Sequence, residues 1–372
     1  MVNILIAADY CPSKRVADVI EQGHYETVFS KIKPIEADYK IVNFECAVAS
    51  KEDTPIKKCG PNLKCSPRGI EALAYAGVNC VTLANNHFFD YGQAGVEKTI
   101  AQLKAHNMDY VGGGLDLKEA QETLYKTIGD ETFAFVNCCE HEFSIATEQS
   151  GGSNPLNPVA QWYAITEAKH KADHVIVIVH GGPEHYSLPT PRMVETYRFF
   201  IDAGADVVIN HHQHCFSGFE QYKGKYIFYG LGNFCFDYGG DRYTSWHKGY
   251  MVLLTFDKGS LTYKMIPYCQ CYKDPAVVPF ENKTDIDEFD AKIKSLNETI
   301  CQPELLKEKY LSSIDRSKGY YISVLEPYNS RIMCTLYNRG LLPSFLKEKR
   351  KLQLWDLMSC ESHQEKLLNA LK

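Results

Sequence analysis

The chain lacks the features that mark membrane, secreted and zinc-finger proteins. No stretch approaches 18 uninterrupted apolar residues, so we expect no membrane-spanning helix. No basic start, apolar run and small-residue cleavage site precede the first predicted strand, so we expect no signal peptide. No two cysteines have the Cys-x-x-Cys spacing, and Cys269-Gln270-Cys271 alone is too little for a zinc site.

Charge of one sign is not in large excess either. Forty Lys and Arg residues stand against 46 Asp and Glu residues, which gives a net charge of −6. A chain without a basic footprint is not expected to bind nucleic acid. Its 372 residues, 45% of them hydrophobic, suit a globular protein of two domains, or one large α/β domain with an appendage.

The 14 cysteines are an even number, which alone would allow disulfides. Several lie inside apolar runs, among them Cys80, Cys138 and Cys235. Buried cysteines behave as small apolar residues, and a chain of this length needs no disulfides to fold. We therefore expect reduced, mostly buried thiols and a cytoplasmic protein.

Strands and helices alternate over the first 270 residues. Apolar runs at 2–8, 78–83, 175–179 and 207–209 predict buried strands, and the spacing of apolar residues predicts a helix from 92 to about 106. Hairpins follow near 249–266. This order favours an α/β core with mixed sheets.

The composition changes after Asp274-Pro275, where apolar residues begin to follow a helical period. Ile286, Phe289, Ile293 and Leu296 would share one face of a helix. The sequence therefore predicts a first domain over residues 1–274 and a helical C-terminal appendage over 275–372.

Polar residues that can bind metal follow each predicted strand. The segments are Asp9, Asn43-Phe44-Glu45, Asn85-Asn86-His87 with Asp90, His180-Gly181-Gly182 and Asn210-His211-His212-Gln213-His214. Any one of them is more often a turn or a cap than a ligand. Parallel strands, however, bring such ends to one edge of the sheet. Together, Asp, Glu, Asn and His indicate a borderline metal such as Mn, Zn or Fe.

The order of these segments resembles the calcineurin-like metallophosphoesterase superfamily and, within it, the CapA family of capsule and poly-γ-glutamate biosynthesis proteins. The matching segments are Asn43–Glu45, Cys59–Leu63, Leu83–Gly92, Asp202–Val208, His211–His214 and Phe228–Phe234. They span residues 9 to about 237 and leave the appendage uncovered.

The resemblance implies a four-layer α-β-β-α sandwich of two mixed sheets, with one or two divalent ions at the strand ends. It implies the following roles: Asp9 and His214 bind the first ion, Glu45 bridges, Asn86, His180 and His212 bind the second ion, His87 donates a proton to the leaving group, and Asp90 orients His87. Two such ions would activate a water molecule and stabilise the developing negative charge.

The sequence departs from the superfamily pattern at the first motif. The usual Asp-x-His opening is Asp9-Tyr10-Cys11 here, so the first ion lacks an imidazole. Either that site is weaker or empty, or Cys11 supplies a thiolate, and we expect a packed Cys11 that does not ligate. The usual second motif is replaced by Asn43-Phe44-Glu45, in which a Glu would bridge.

Three further residues are candidates for substrate contact. Glu184 and His185 follow the His180 strand, where they would either contact substrate or belong to a loop that only positions His180. His211, in the same segment as the two predicted histidine ligands, is the third candidate.

The sequence therefore predicts a metal-dependent, hydrolase-like protein of capsule or surface-polymer biosynthesis. The polymer would be poly-γ-glutamate or a polysaccharide, the substrate an anionic polymer, phosphoester or peptide, and a partner a membrane-bound polymer synthase. Two alternatives stay open. One is a metal-dependent peptide-modifying enzyme such as an epimerase, with His87 as the base. The other is a non-catalytic assembly factor of a polymer synthase.

Overall fold

The computed structural model describes residues 1–238, 243–328 and 330–371. Its strands are β1 (Val2–Cys11), β2 (Tyr39–Phe44), β3 (Ala47–Val48), β4 (Lys64–Cys65), β5 (Cys80–Thr82), β6 (Asp109–Val111), β7 (Gly113–Gly114), β8 (Leu124–Ile128), β9 (Glu131–Cys139), β10 (Gly152–Ser153), β11 (His174–His180), β12 (Val207–His211), β13 (Phe219–Tyr222), β14 (Lys225–Phe228), β15 (Asn233–Phe236), β16 (Lys248–Asp257), β17 (Ser260–Gln270) and β18 (Val277–Pro279). Its helices are α1 (Lys14–Glu21), α2 (Tyr25–Phe29), α3 (Arg68–Tyr75), α4 (Gly92–Ala105), α5 (Leu117–Ala120), α6 (Pro158–Lys171), α7 (Pro191–Ala203), α8 (Lys283–Ile300), α9 (Pro303–Leu325), α10 (Arg331–Asn338), α11 (Glu348–Ser359) and α12 (Glu361–Ala370).

Two mixed sheets form the core. The first has eight strands in the order β18-β17-β16-β1-β2-β5-β6, with β15 also paired to β1. The second has six strands in the order β13-β14-β12-β11-β9-β8. Strands β1, β2, β5 and β6 are parallel in the first sheet, and β9, β11, β12 and β14 are parallel in the second.

The layers follow from the alternation of side chains along the strands. Phe135 and Ile178 of the second sheet belong to one large apolar cluster with residues of the first sheet and of α1 to α4. Their neighbours Val136 and Val177 point the other way and pack with helices α6 and α7. Both faces of each sheet are thus covered, and the predicted four-layer α-β-β-α fold is confirmed.

Strand β1 changes partner at the point where the site begins. Its residues 2–6 pair with antiparallel β16, whereas Asp9, Tyr10 and Cys11 pair with parallel β15. The predicted end at residue 8 is therefore wrong, because a new neighbour continues the ladder beyond the apolar run. Asp9 lies inside the strand, 0% exposed.

The other predicted elements differ mainly at their ends. Helix α4 agrees with the prediction, whereas β5 covers only Cys80–Thr82 of the predicted 78–83. Strands β11 and β12 extend to His180 and His211, which are thus the last residues of their strands rather than loop residues.

The chain forms two compact units, Met1–Leu306 and Lys307–Lys372. Phe289, Ile293 and Leu296 of α8 pack in the core of the first unit, although α8 lies beyond the predicted boundary at residue 274. That boundary between domains stays a prediction. Among the described residues, none of the helices has both the length and the apolarity needed to cross a membrane.

Candidate metal centre

The side chains predicted to bind metal meet at the common edge of the two sheets. Two groups each hold three ligand atoms within 4.8 Å of one another. The first group is Asp9, Glu45 and His214, and the second group is Glu45, His180 and His212. Glu45 therefore belongs to both groups, and its predicted role as a bridging ligand stays a prediction.

Glu45 carries the observation that points most directly to a cation. Its side chain is 0% exposed, and within the described part of the chain neither carboxylate oxygen has a hydrogen-bond partner. Oε1 lies 3.6 Å from His180 Nε2 and 3.7 Å from His214 Nε2. Burial, with the nearby charge of Asp9, raises the pKa of Glu45 well above its ordinary value. An unpaired buried carboxylate costs several kcal/mol, which a bound cation would offset.

Asp9 is held from two sides by the protein. Its Oδ1 accepts a hydrogen bond of 2.8 Å from Asn43 Nδ2, and its Oδ2 accepts one of 3.2 Å from the backbone N–H of His212. Burial nevertheless raises the pKa of the Asp9 carboxyl to about 7. Two fixed hydrogen bonds thus orient a carboxylate whose negative charge lacks a countercharge in the metal-free protein.

The second group is closely spaced around His180. Its Nε2 lies 3.0 Å from Asn86 Oδ1 and 3.0 Å from His212 Nδ1. Ligand atoms bound about 2.1 Å from one ion at right angles are separated by about 3 Å, so these separations fit one coordination sphere. Burial lowers the pKa of both histidines, and neutral imidazoles are the form that binds metal.

His214 is oriented by a residue that the sequence analysis did not single out. Its Nδ1 lies 2.8 Å from Asn233 Oδ1, which fixes the proton on Nδ1 and leaves the lone pair of Nε2 directed at Glu45. The Trp246 ring covers the imidazole, with 4.7 Å between the ring centroids. Burial lowers the pKa of His214 to about 3.

The backbone of the histidine segment is strained. His212 has φ of 91° and His214 has φ of 53°, in the left-handed region that residues with a Cβ rarely adopt. Such conformations cost of order 1–3 kcal/mol each and persist where the surroundings enforce them. Between them, Gln213 Nε2 donates to the carbonyl of Tyr186 and anchors the turn. With these backbone conformations, both imidazoles lie at the same edge.

The predicted proton donor lies in a buried ionic cluster beside the two groups. His87 Nδ1 lies 2.7 Å from Asp90 Oδ2, and Lys58 Nζ lies 3.1 Å from the same nitrogen. Lys58 also forms an ion pair with Asp90, and both side chains are at most 3% exposed. Asp90 accepts a further hydrogen bond from the backbone N–H of Leu63. His87 is thus fixed through Nδ1, which leaves Nε2 for another partner.

The family model described as bacterial capsule synthesis protein PGA_cap matches residues 3–238. The chain belongs to this family. It is 32% identical over 250 residues to the capsule biosynthesis protein CapA of Bacillus anthracis, a match that covers 64% of this chain and 61% of that protein. It is also 32% identical over 240 residues to the PGA biosynthesis protein CapA of Bacillus subtilis (strain 168), covering 63% of each chain. The matched segment thus spans about three fifths of these relatives' length.

Similarity extends to solved structures at lower identity. A phosphatase of Mycoplasma pneumoniae has a TM-score of 0.45 and 16% identity, and the match covers 78% of this chain and 98% of that one. The predicted membership of the CapA family is confirmed by the family match and not by this structural similarity.

In this family member, Cys11 of the first motif lies outside both ligand groups found among the described residues. It is 1% exposed and interacts with Cys46. The structure thus favours the expected packed Cys11.

The three candidates for substrate contact lie in different places. Glu184 and His185 are exposed, and the His185 ring lies 6.1 Å from that of His214 and 5.9 Å from that of Trp246. His211 is 1% exposed, with Nδ1 3.7 Å from Asp9 Oδ1, so it lies behind Asp9 rather than at the mouth of the site. Contact of these residues with a substrate stays a prediction.

Sequence reasoning missed the residues that support the ligands. They are Lys58, Glu142, Asn233 and Trp246. Asn233 lies in a segment that carried the family resemblance, so position was a usable signal for it, and Asn43 was named in its segment without a supporting role. Lys58 and Glu142 lie in irregular segments that do not follow a predicted strand, and only the fold brings them to the site.

Proposed function

We propose that the protein is a metal-dependent, hydrolase-like enzyme of capsule or surface-polymer biosynthesis. The observation that carries this proposal is the buried Glu45 carboxylate, shared by two ligand groups and without a hydrogen-bond partner among the described residues. The names of the two Bacillus relatives support a role in making a capsule or poly-γ-glutamate.

Asp9, Glu45 and His214 would hold one ion. Glu45, Asn86, His180 and His212 would hold the other. Imidazole nitrogens with carboxylate and amide oxygens suit Mn, Zn or Fe. Two divalent ions supply Lewis-acid stabilisation to the oxygens that gain charge in a displacement at a phosphoryl or acyl centre.

His87 would deliver the proton that the leaving group needs. Its Nδ1 is occupied by Asp90, so the proton transferred would be the one on Nε2. Lys58 compensates the Asp90 charge and donates a hydrogen bond of 3.4 Å to the backbone carbonyl of Asn86. It thereby links the proton donor to a predicted ligand residue. The His87 base of an epimerase would use the same atom with the proton flow reversed.

The substrate we propose is an anionic polymer, a phosphoester or a peptide, and the proposed partner is a membrane-bound polymer synthase. We also propose a cytoplasmic location, supported by the 14 cysteines, all of which carry free thiols in the structure.

Metal content and turnover together test this function. The protein is purified without chelators and analysed for Mn, Zn and Fe, then assayed with bis(4-nitrophenyl) phosphate and with γ-glutamyl peptides in both the hydrolytic and the epimerising direction. We expect one or two ions per chain, loss of metal in Glu45→Gln, and retention in the exposed control Glu184→Gln. Hydrolysis supports the proposal, epimerisation replaces it with the alternative reaction, and a metal-loaded but inert protein favours the assembly factor. A wild type that holds no metal contradicts the proposed metal-dependent function.

A further inference from the structure

Glu142 contacts two residues predicted to bind the second ion, Asn86 and His212, from the mouth of the site. Its side chain is 40% exposed and follows β9 on an irregular segment. Oε2 accepts a hydrogen bond of 3.4 Å from Asn86 Nδ2, and Oε1 lies 3.8 Å from His212 Nε2. One carboxylate thus faces the outer side of two predicted ligands that come from different sheets.

The contact with Asn86 determines which end of the amide faces His180. An amide can bind a divalent cation through its oxygen but not through its NH2 group. Because Glu142 accepts from Nδ2, Oδ1 is turned inward to within 3.0 Å of His180 Nε2. Without Glu142, turning Nδ2 inward would no longer cost the amide its hydrogen bond to a carboxylate. That flipped orientation would then compete with the one that presents Oδ1 to His180.

The contact with His212 likewise favours the tautomer that leaves a lone pair for a metal ion. A carboxylate beside Nε2 favours the proton on that nitrogen and leaves the lone pair on Nδ1. Nδ1 is the atom that lies 3.0 Å from His180 Nε2. The 3.8 Å separation is longer than a hydrogen bond, so this effect is electrostatic.

We propose that Glu142 is a positioning residue that selects the donor atoms of Asn86 and His212 for the second ion. The inference rests on the metal centre of the proposed function. The negative charge of Glu142 also favours a cation at the second group. That group has only one carboxylate of its own, Glu45, and shares it with the first group.

Glu184 provides a matched control for charge without contact. It is exposed, and its carboxylate acts through space on Glu45 and His212, as the carboxylate of Glu142 also does. Within the described residues it has no hydrogen bond or ion pair with a ligand. Glu184→Gln therefore removes one negative charge from the mouth and leaves the donor atoms in place.

The experiment titrates metal-free wild type, Glu142→Gln, Glu142→Ala and Glu184→Gln with Mn²⁺ and Zn²⁺ by calorimetry. We expect Glu142→Ala to weaken one binding event by about 10- to 100-fold, the usual range for a residue that orients a ligand. Glu142→Gln should fall between, because its amide oxygen can still accept a hydrogen bond from Asn86 Nδ2, whereas its uncharged amide no longer acts electrostatically on His212. Glu184→Gln should bind nearly as wild type. The melting temperature of each metal-free variant checks the fold.

Two results would overturn the inference alone. In the first, wild type binds metal and Glu142→Ala binds it equally well. In the second, Glu184→Gln is weakened as much as Glu142→Ala, which would reduce the role of Glu142 to charge. A wild type that binds no ion at all would instead overturn the proposed metal centre together with this inference. If wild type binds a single ion, the same comparison applies to that ion.

Discussion

The buried Asp9 carboxyl should make the metal-free protein lose stability as the pH rises. Burial raises its pKa from 3.8 to about 7 in the folded protein. A carboxyl whose folded pKa lies above its unfolded pKa stabilises the fold fully below the unfolded value. That contribution is then lost as the pH rises through the folded value. Asp9→Asn removes this titration and keeps a side chain of similar size.

The size of the effect follows from the two pKa values. Between pH 5 and pH 8 the folded carboxyl loses its proton, whereas the unfolded one is already ionised at pH 5. The free energy of unfolding of wild type should therefore fall relative to that of Asp9→Asn by a few kcal/mol, on the order of 3, across this range. The buried histidines, whose pKa values are lowered, contribute with the opposite sign in both proteins. The difference between the two proteins therefore reports mainly on Asp9 and on Glu45, whose pKa the Asp9 charge raises.

The assay is urea unfolding followed by tryptophan fluorescence at pH 5, 6, 7 and 8, after metal removal. Asp206→Asn is the control, because paired lysines lower the pKa of that carboxyl, which is therefore ionised above pH 5 in the folded and in the unfolded chain. The difference in free energy of unfolding between wild type and Asp206→Asn should not change with pH. Saturating Mn²⁺ should stabilise wild type more than Asp9→Asn, because Asp9→Asn removes a predicted carboxylate ligand. A difference between wild type and Asp9→Asn that stays constant from pH 5 to pH 8 would refute the reasoning.

Three further predictions address the proton donor, the ionic cluster and the thiols. His87→Ala should retain metal and lose turnover by about two to four orders of magnitude, whereas His212→Ala should lose metal first; metal analysis and kinetics on both variants check this, and loss of metal in His87→Ala would make His87 a ligand. Lys58→Met should lower the free energy of unfolding by about 3–5 kcal/mol, because it leaves the buried Asp90 carboxylate without its lysine countercharge, and Asp90→Asn in the same chain should restore most of it. Titration with a thiol reagent in denaturant without reductant should find nearly all 14 thiols free, and a majority in disulfides would contradict the cytoplasmic assignment.

The ligands could be predicted because parallel strands impose their own geometry. A buried strand is recognised by its apolar run, and its carboxyl end must lie at the same edge as those of its parallel neighbours. His180 follows the 175–179 run directly, and His212 and His214 follow 207–209 closely. Local pattern thus predicted that residues more than 160 positions apart meet at one edge, whereas the role of each ligand was implied by the family resemblance.

The supporting residues could not be found in this way, because they depend on contacts between elements. Glu142 contacts Asn86 from 56 positions away, across the two sheets, and Lys58 reaches Asp90 from an irregular loop. Similarly, the apolar face of α8 was predicted, but periodicity does not say which surface it packs against. The strand end at Cys11 was missed because pairing with β15, and not an apolar run, maintains it.

The most direct test of the metal centre is a crystal structure of the protein soaked in Mn²⁺, with anomalous difference maps. We predict one or two anomalous peaks at the edge of the two sheets, each about 2.1 Å from an oxygen of Glu45, with imidazole nitrogens of His180 and His212 or of His214 completing the contacts. Maps without a peak at Glu45 in Mn²⁺-saturated crystals, or with peaks only elsewhere on the chain, would contradict the account.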